Sequence, residues 1–289
     1  MSPTTSLRAA LCAALLLCGL GAAPASAKKK APKRVAPQGS TARASFRPVC
    51  RKPAYPQPAP TRSPGIDAQC GLAGSGAGAE GAQNTAKNNF CAAGTARAVT
   101  IASLTSLQGS VEKNTAINFG DEKSGARAKG PTANRAPLQK LGEGRLVTLK
   151  AYVLRARQEG GESVNCGANV PNHPAFHDIH ISLVAAPQDY SEAAECAGVV
   201  AEMSPHHRPD AWTAGNVNKV AAARALVRVT GQLFFDSSHF PCQQGAPVRS
   251  NPKRVSLWEI HPVYKFEVCT ADCGGAGTWL PLDQWVKQN

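Results

Sequence analysis

The sequence predicts a mainly β protein: a small barrel with one helix before it and a short helix inserted in it, preceded by a disordered basic leader. Three observations predict this. Segments after Gly144 alternate apolar and polar residues with the period of two that marks a strand. Ten Lys and Arg residues stand between Lys28 and Pro64 with no acidic residue among them. Eight cysteines follow residue 27, an even number.

Residues 1–27 read as a signal peptide. Arg8 supplies the positive start, Ala9 to Leu20 the short apolar run, and Ala25-Ser26-Ala27 an A-x-A cleavage site before Lys28-Lys29-Lys30. The run is shorter than the roughly 20 apolar residues of a membrane span, and no later stretch approaches that length, so no transmembrane segment is expected. The expected location is periplasmic or secreted, with a mature chain that starts at Lys28. An even cysteine count in that compartment implies disulfides. Cys166–Cys196 and Cys269–Cys273 are the expected pairs, because each closes a loop without crossing the other. Structural zinc fits the thiols poorly, since there is no C-x₂-C pair and Cys269/Cys273 are spaced C-x₃-C.

Residues 28–65 are a Lys/Arg/Pro-rich linker with repeated X-Pro steps, too poor in apolar surface to offset the entropy of ordering. From Gly65 onward there are 21 basic against 19 acidic residues, so the pI of 9.5 belongs to the leader. That weakens any step from pI to a nucleic-acid-binding barrel. It leaves residues 28–64 as a segment suited to an anionic surface or polymer.

Residues 66–138 read as a loop and helical segment. Gly76, Gly78 and Gly81 have G-x-G-x-x-G spacing, but no strand precedes them and no βαβ unit surrounds them, so residues 71–81 read as a loop rather than a dinucleotide site. Thr100 followed by Ile101, Leu104, Leu107 and Val111 predicts a helix over about 100–113. Residues 114–138 return to Gly, Asn and Lys. The barrel domain spans 139–270. Its strands are Arg145–Leu154, Asp178–Val184, Val199–Met203, Ala225–Phe235 and Ser256–Val268, with a short helix near Asn216–Arg224. Five strands with one helix before the fourth make a small OB-like barrel the nearest standard architecture. Trp279 to Leu282 with Trp285 form a C-terminal apolar flap within 271–289.

Several motifs could carry chemistry. Acid-then-His pairs recur at Asp178/His180, Asp236/His239 and Glu259/His261. Residues two apart on a strand face the same way, so Asp178 and His180 oppose Ile179 and Ile181. Glu259 and His261 likewise oppose Trp258 and Ile260, and Glu202 opposes Ala201 and Met203. Such a set serves a metal, an acid/base pair or a structural polar network. Asp178, His180, Glu202, Glu259 and His261 are the candidate catalytic residues; Arg208, Asp236, His239 and Arg254 are the candidate ligand-binding residues, the two arginines for an anionic group. No metal ligand set is assigned. His206 and His207 read as a solvated turn, and Cys242 near His239 as a disulfide partner rather than a nucleophile. P-loop, G-x-S-x-G and H-E-x-x-H patterns do not occur.

Val229-Thr230-Gly231-Gln232-Leu233-Phe234-Phe235-Asp236, His239 and Trp258-Glu259-Ile260-His261-Pro262-Val263 resemble an uncharacterised family of exported bacterial proteins with an OB-like barrel. Asp178-Ile179-His180-Ile181 and Glu202 to Pro209 look like its other signatures, and Lys87-Asn88-Asn89-Phe90-Cys91 resembles an upstream segment of its longer members. Gln232 departs from the bulky aromatic expected there. The resemblance covers roughly residues 65–270; it implies a barrel and export and brings no activity, cofactor or partner. The expected function is an exported OB-fold-like binding module for an unknown ligand. The alternative is a hydrolase of a phosphoester or polysaccharide that uses the His/carboxylate cluster, with or without a divalent metal.

Overall fold

The computed structural model describes residues 72–120, 130–165, 176–242 and 252–289. Residues 1–27 and 28–65, read from the sequence as signal peptide and basic leader, and Cys166 lie outside them. In chain order the strands are β1 (Arg97–Val99), β2 (Leu146–Gln158), β3 (Ile179–Val184), β4 (Val199–Met203), β5 (Leu226–Phe235), β6 (Trp258–Ala271) and β7 (Thr278–Pro281). The helices are α1 (Gly78–Lys87), α2 (Ile101–Glu112), α3 (Ala136–Leu141), α4 (Glu192–Cys196), α5 (Ala214–Ala222) and α6 (Leu282–Gln288).

Strands β2 to β6 close into a barrel in the order β2-β3-β4-β6-β5 and back to β2. All neighbours are antiparallel except β4 and β6, which run parallel through Ala201 and Ile260. Counted within the barrel, the order is 1-2-3-5-4-1, with α5 between the third and fourth strands, a Greek-key barrel of the OB type. Closure depends on the length of β2. Its first half pairs with β5 through Leu146–Tyr152 and its second with β3 through Tyr152–Gln158, with a bulge at Val153/Arg155 that bends the strand. Gly231 serves the opposite corner, where β5 shifts register against β6. A Cβ at Gly231 would lie 2.3 Å from the Pro262 carbonyl oxygen, so a side chain would push the strands apart.

Alternation fills the interior. Val147, Leu149, Ala151 and Val153 of β2 meet Ile179, Ile181 and Leu183 of β3, Val199, Ala201 and Met203 of β4, and the inward residues of β5 and β6. Leu104 and Val111 of α2 add to this core, as do Val217 and Val220 of α5. The α2 N-terminus is set by a capping box, in which Thr100 and Ser103 bond each other's backbone N–H. The apolar C-terminal flap is a strand and a helix: β7 pairs with β6, and Leu282 and Trp285 of α6 are buried.

Two expectations are corrected. The glycine-rich stretch is not wholly loop, because α1 starts at Gly78 and buries Gly81, Gln83, Asn84 and Lys87. Gly81 is required there, since a Cβ would meet the Gly76 oxygen at 2.9 Å. Cys196 pairs with Cys242, not with Cys166. The cause is the sheet: Gly198, just after α4, accepts a bond from Val255 N, and Arg254 accepts one from Cys242 N, so the end of α4 and the segment after β5 meet. The Cys269–Cys273 bridge forms as expected.

Candidate functional site

Strands β3 and β4 are buried on both faces. The inner face is the apolar core. The outer face carries His180 on β3, opposite Glu202 on β4 in the pairing register, with Glu259 and His261 following on β6. Alternation delivers these groups to one wall, and α1 covers it. Ala86 packs on Phe234, and the Gln232 amide donates to the Ala86 and His261 carbonyls at 2.7 Å each and accepts from Asn89 at 2.5 Å. That triple bonding is why a polar side chain stands at 232 where an aromatic was expected.

Glu202 is the centre of the network. One carboxylate oxygen lies 2.7 Å from His261 Nδ1 and 3.6 Å from Lys87 Nζ; the other lies 3.1 Å from His180 Nε2. Lys87 reaches back to Glu162 at 3.3 Å, and His180 lies 3.3 Å from Glu159 and 3.5 Å from Glu162. A second group adjoins it: Arg254 pairs with Glu259 at 2.6 Å and lies 3.5 Å from Asp236, which also lies 2.6 Å from His239 Nδ1 and accepts from Ser238 N at 3.1 Å. Glu202, Glu259, His261, Asp236 and Arg254 are fully buried, and His180 nearly so.

Burial alone would raise the Glu202 carboxyl, but the charges of His180, Lys87 and His261 outweigh it and hold the group well below the carboxylate range. The two imidazoles are its counterpart. Burial disfavours their charged forms, yet Glu202 raises His180 well above its ordinary value and lifts His261 to about 9. Asp178 and Glu259 move the other way: burial raises both, and Glu202 adds to Glu259 by repulsion.

Not every candidate makes a hydrogen bond or ion pair within this wall. Asp178 sits just before β3, fully buried, with neither carboxylate oxygen hydrogen-bonded among the described residues. Arg208 is buried and donates to the carbonyls of His177 and Met203. His206 is buried on a 3-10 turn instead of standing solvated. Cys242 is consumed by its disulfide.

Four participants were not singled out as site residues from the sequence: Lys87, Gln83, Glu162 and Arg135. Gln83 of α1 donates to Ser238 Oγ at 2.6 Å and accepts from Ser237 N at 2.9 Å. Arg135, fully buried, forms a two-pronged pair with Glu143 and bonds the Phe235 carbonyl. A cavity of about 230 Å³ opens beside α1, walled by Gln83, Lys87, Glu162, Asp236, Ser238 and His239. Three of these residues, Lys87, Glu162 and Asp236, also belong to the buried network, so the cavity adjoins it. His239 and Glu162 are partly exposed, with 26% and 27% of their side chains accessible. Among the described residues three groups of donor atoms are close enough to share a cation, and Glu202 belongs to each: with Glu162 and His180, with Asp178 and His261, and with Asp236 and Glu259.

Fold and geometry together define an OB-like barrel that carries a charge network between its outer wall and a covering helix. No family model, curated protein or solved structure matches the chain.

Proposed function

We propose that the protein is an exported OB-like binding module that takes a small, donor-rich polar ligand in the cavity beside α1. The observation that carries this reading is the burial of the candidate acid/base residues. His180, Glu202, Glu259 and His261 are 0–3% exposed and engaged with one another, so a polysaccharide or nucleic-acid strand cannot reach them. Open to a solute instead is a cavity of about 230 Å³, smaller than the ~300–1,000 Å³ of drug-sized ligand sites. Its walls are rich in acceptors: Glu162, Asp236 and Ser238 beside Lys87 and His239. A preorganised ion-pair network behind it fixes those groups without reorganisation on binding.

Export is supported by the A-x-A site and by two disulfides, which persist in oxidising compartments. No helix among the described residues is long and apolar enough to cross a membrane. The resemblance to an exported barrel family supports the same reading, because each of its signature stretches supplies a residue to the network or to its cover. The basic leader would add a salt-sensitive attachment to an anionic surface. A second reading, hydrolysis, is favoured by one observation: Asp236 lies 2.6 Å from Nδ1 of partly exposed His239 at the cavity wall, the relation in which a carboxylate orients an imidazole base.

Amide-resolved NMR titration of the mature chain with small amines, amino acids and monosaccharides tests the proposal. Shifts confined to residues 80–87, 162–164 and 236–239 are expected. Perturbation elsewhere, or none from any probe, would contradict it. Release of product from a chromogenic phosphoester, lost in His239→Gln, would favour hydrolysis instead.

A further inference from the structure

We propose that Asp178, Glu202 and His261 form a buried site for one divalent transition-metal cation of the zinc class. Three independent observations point there. The first is proximity: one donor atom from each residue lies within 4.8 Å of the others, and all three residues are buried. Tetrahedral ligands at about 2.1 Å from zinc stand about 3.4 Å apart, so the donors need to close by little more than 1 Å.

The second is an unmet bonding demand. Asp178 is fully buried and both its carboxylate oxygens are without a hydrogen-bond partner among the described residues, and Nε2 of buried His261 shares that state. Buried polar groups are almost always bonded, and an isolated buried carboxylate is among the most costly to leave so. Asp178 makes no ion pair among the described residues. A cation between Asp178 and His261 would answer both at once.

The third is charge. Along the connected network the carboxylates Glu162, Asp178, Glu202, Asp236 and Glu259 outnumber the permanent cations Lys87 and Arg254. A divalent ion would sit among these carboxylates with a charge of the opposite sign. The donor set of one imidazole and two carboxylates is borderline in softness, which suits zinc or manganese better than calcium or magnesium, whose sites are built from oxygen. Glu162 lines the cavity and also lies 3.5 Å from His180, so the network around the site reaches the cavity wall. Lys87, 3.6 Å from Glu202 and 3.3 Å from Glu162, can lean on Glu162 once the metal takes Glu202. This site lies behind the ligand cavity and does not depend on what the cavity binds.

Calorimetric titration of Zn²⁺ into the full mature chain, stripped with chelator and dialysed free of it, decides the matter. One equivalent should bind and the melting temperature should rise. Asp178→Asn keeps the side-chain shape and removes a buried charge, so the metal-free variant should melt at or above the parent. Its zinc affinity should fall by more than about 100-fold, beyond the 10–100-fold that an outer-shell partner accounts for. His239→Gln, on the cavity wall, should bind zinc like the parent. Absence of binding, binding retained in Asp178→Asn, or Mg²⁺ held as tightly as Zn²⁺ would each overturn the assignment. The NMR map of the cavity would stand or fall separately.

Discussion

Replacing Glu202 by Gln keeps the shape of the side chain and removes the one charge that His180, His261 and Lys87 share. Losing one partner of a buried ion pair costs about 3–5 kcal/mol, because the other is left as an uncompensated buried charge. Here the cost falls at the lower end. Lys87 keeps Glu162 at 3.3 Å, and both imidazoles can release their protons. About 3 kcal/mol is therefore expected, which for a domain of roughly 150–250 residues lowers the melting temperature by about 6–12 °C. Urea unfolding followed by circular dichroism, with chelator present, measures it directly. Glu192→Gln is the contrast: its carboxylate also meets a lysine, Lys253 at 2.8 Å, but its side chain is 74% exposed, and such pairs are worth under about 1 kcal/mol. A loss below about 1 kcal/mol in Glu202→Gln, or equal losses in the two variants, would refute a network centred on Glu202.

Three further outcomes are expected. His261 is raised from 6.5 to about 9 in the folded chain, so its contribution is complete below pH 6.5 and is lost as pH rises toward 9; His180 acts in the same sense. Thermal unfolding in chelator should show stability falling across that window, and a flat profile in Glu202→Gln; a rise in the parent would reverse the sign of the argument. Removing Cys196–Cys242, which spans 46 residues, should cost about 4 kcal/mol and removing Cys269–Cys273, which spans 4, about 2, from loop-closure entropy; urea midpoints of the double-alanine variants check the order. Gln232→Phe restores the aromatic that the sequence led one to expect but strips the partner of the Asn89 amide and of two carbonyls. A loss of about 1–3 kcal/mol is expected, and a gain in melting temperature would show those bonds to be unimportant.

What the sequence made legible divides along physical lines. The five barrel strands and α5 were readable because the interior enforces a strict alternation, and a one-residue slip would turn every core side chain outward. The same rule located the site from one side: Glu202, Glu259 and His261 stand out because they alternate with Ala201, Trp258 and Ile260. The covering helix was not readable. Helices are recognised by an apolar stripe, and α1 buries Gln83, Asn84 and Lys87 against a polar wall, so its inward face looks like a solvated loop. Lys87 and Gln83 were missed for that reason. Arg208 and Arg254 were assigned to an anion because charge alone was visible. The carbonyls of His177 and Met203 near Arg208, and Glu259 and Asp236 near Arg254, are brought there only by the fold. The Cys196–Cys242 pair was hidden by the same kind of cause, since β4 and β6 lie side by side although β5 separates them in the chain.

The central claim is that the charge network serves a ligand site at the cavity beside α1 rather than stability alone. Affinity for the tightest-binding small-molecule probe, measured for the parent and for His239→Gln alongside the melting temperature, tests it most directly. His239 lines the cavity with a quarter of its side chain exposed, so the account predicts at least about a tenfold loss of affinity, some 1.4 kcal/mol, with the melting temperature nearly unchanged. Unchanged affinity, or a loss that only tracks a collapse in melting temperature, would contradict it.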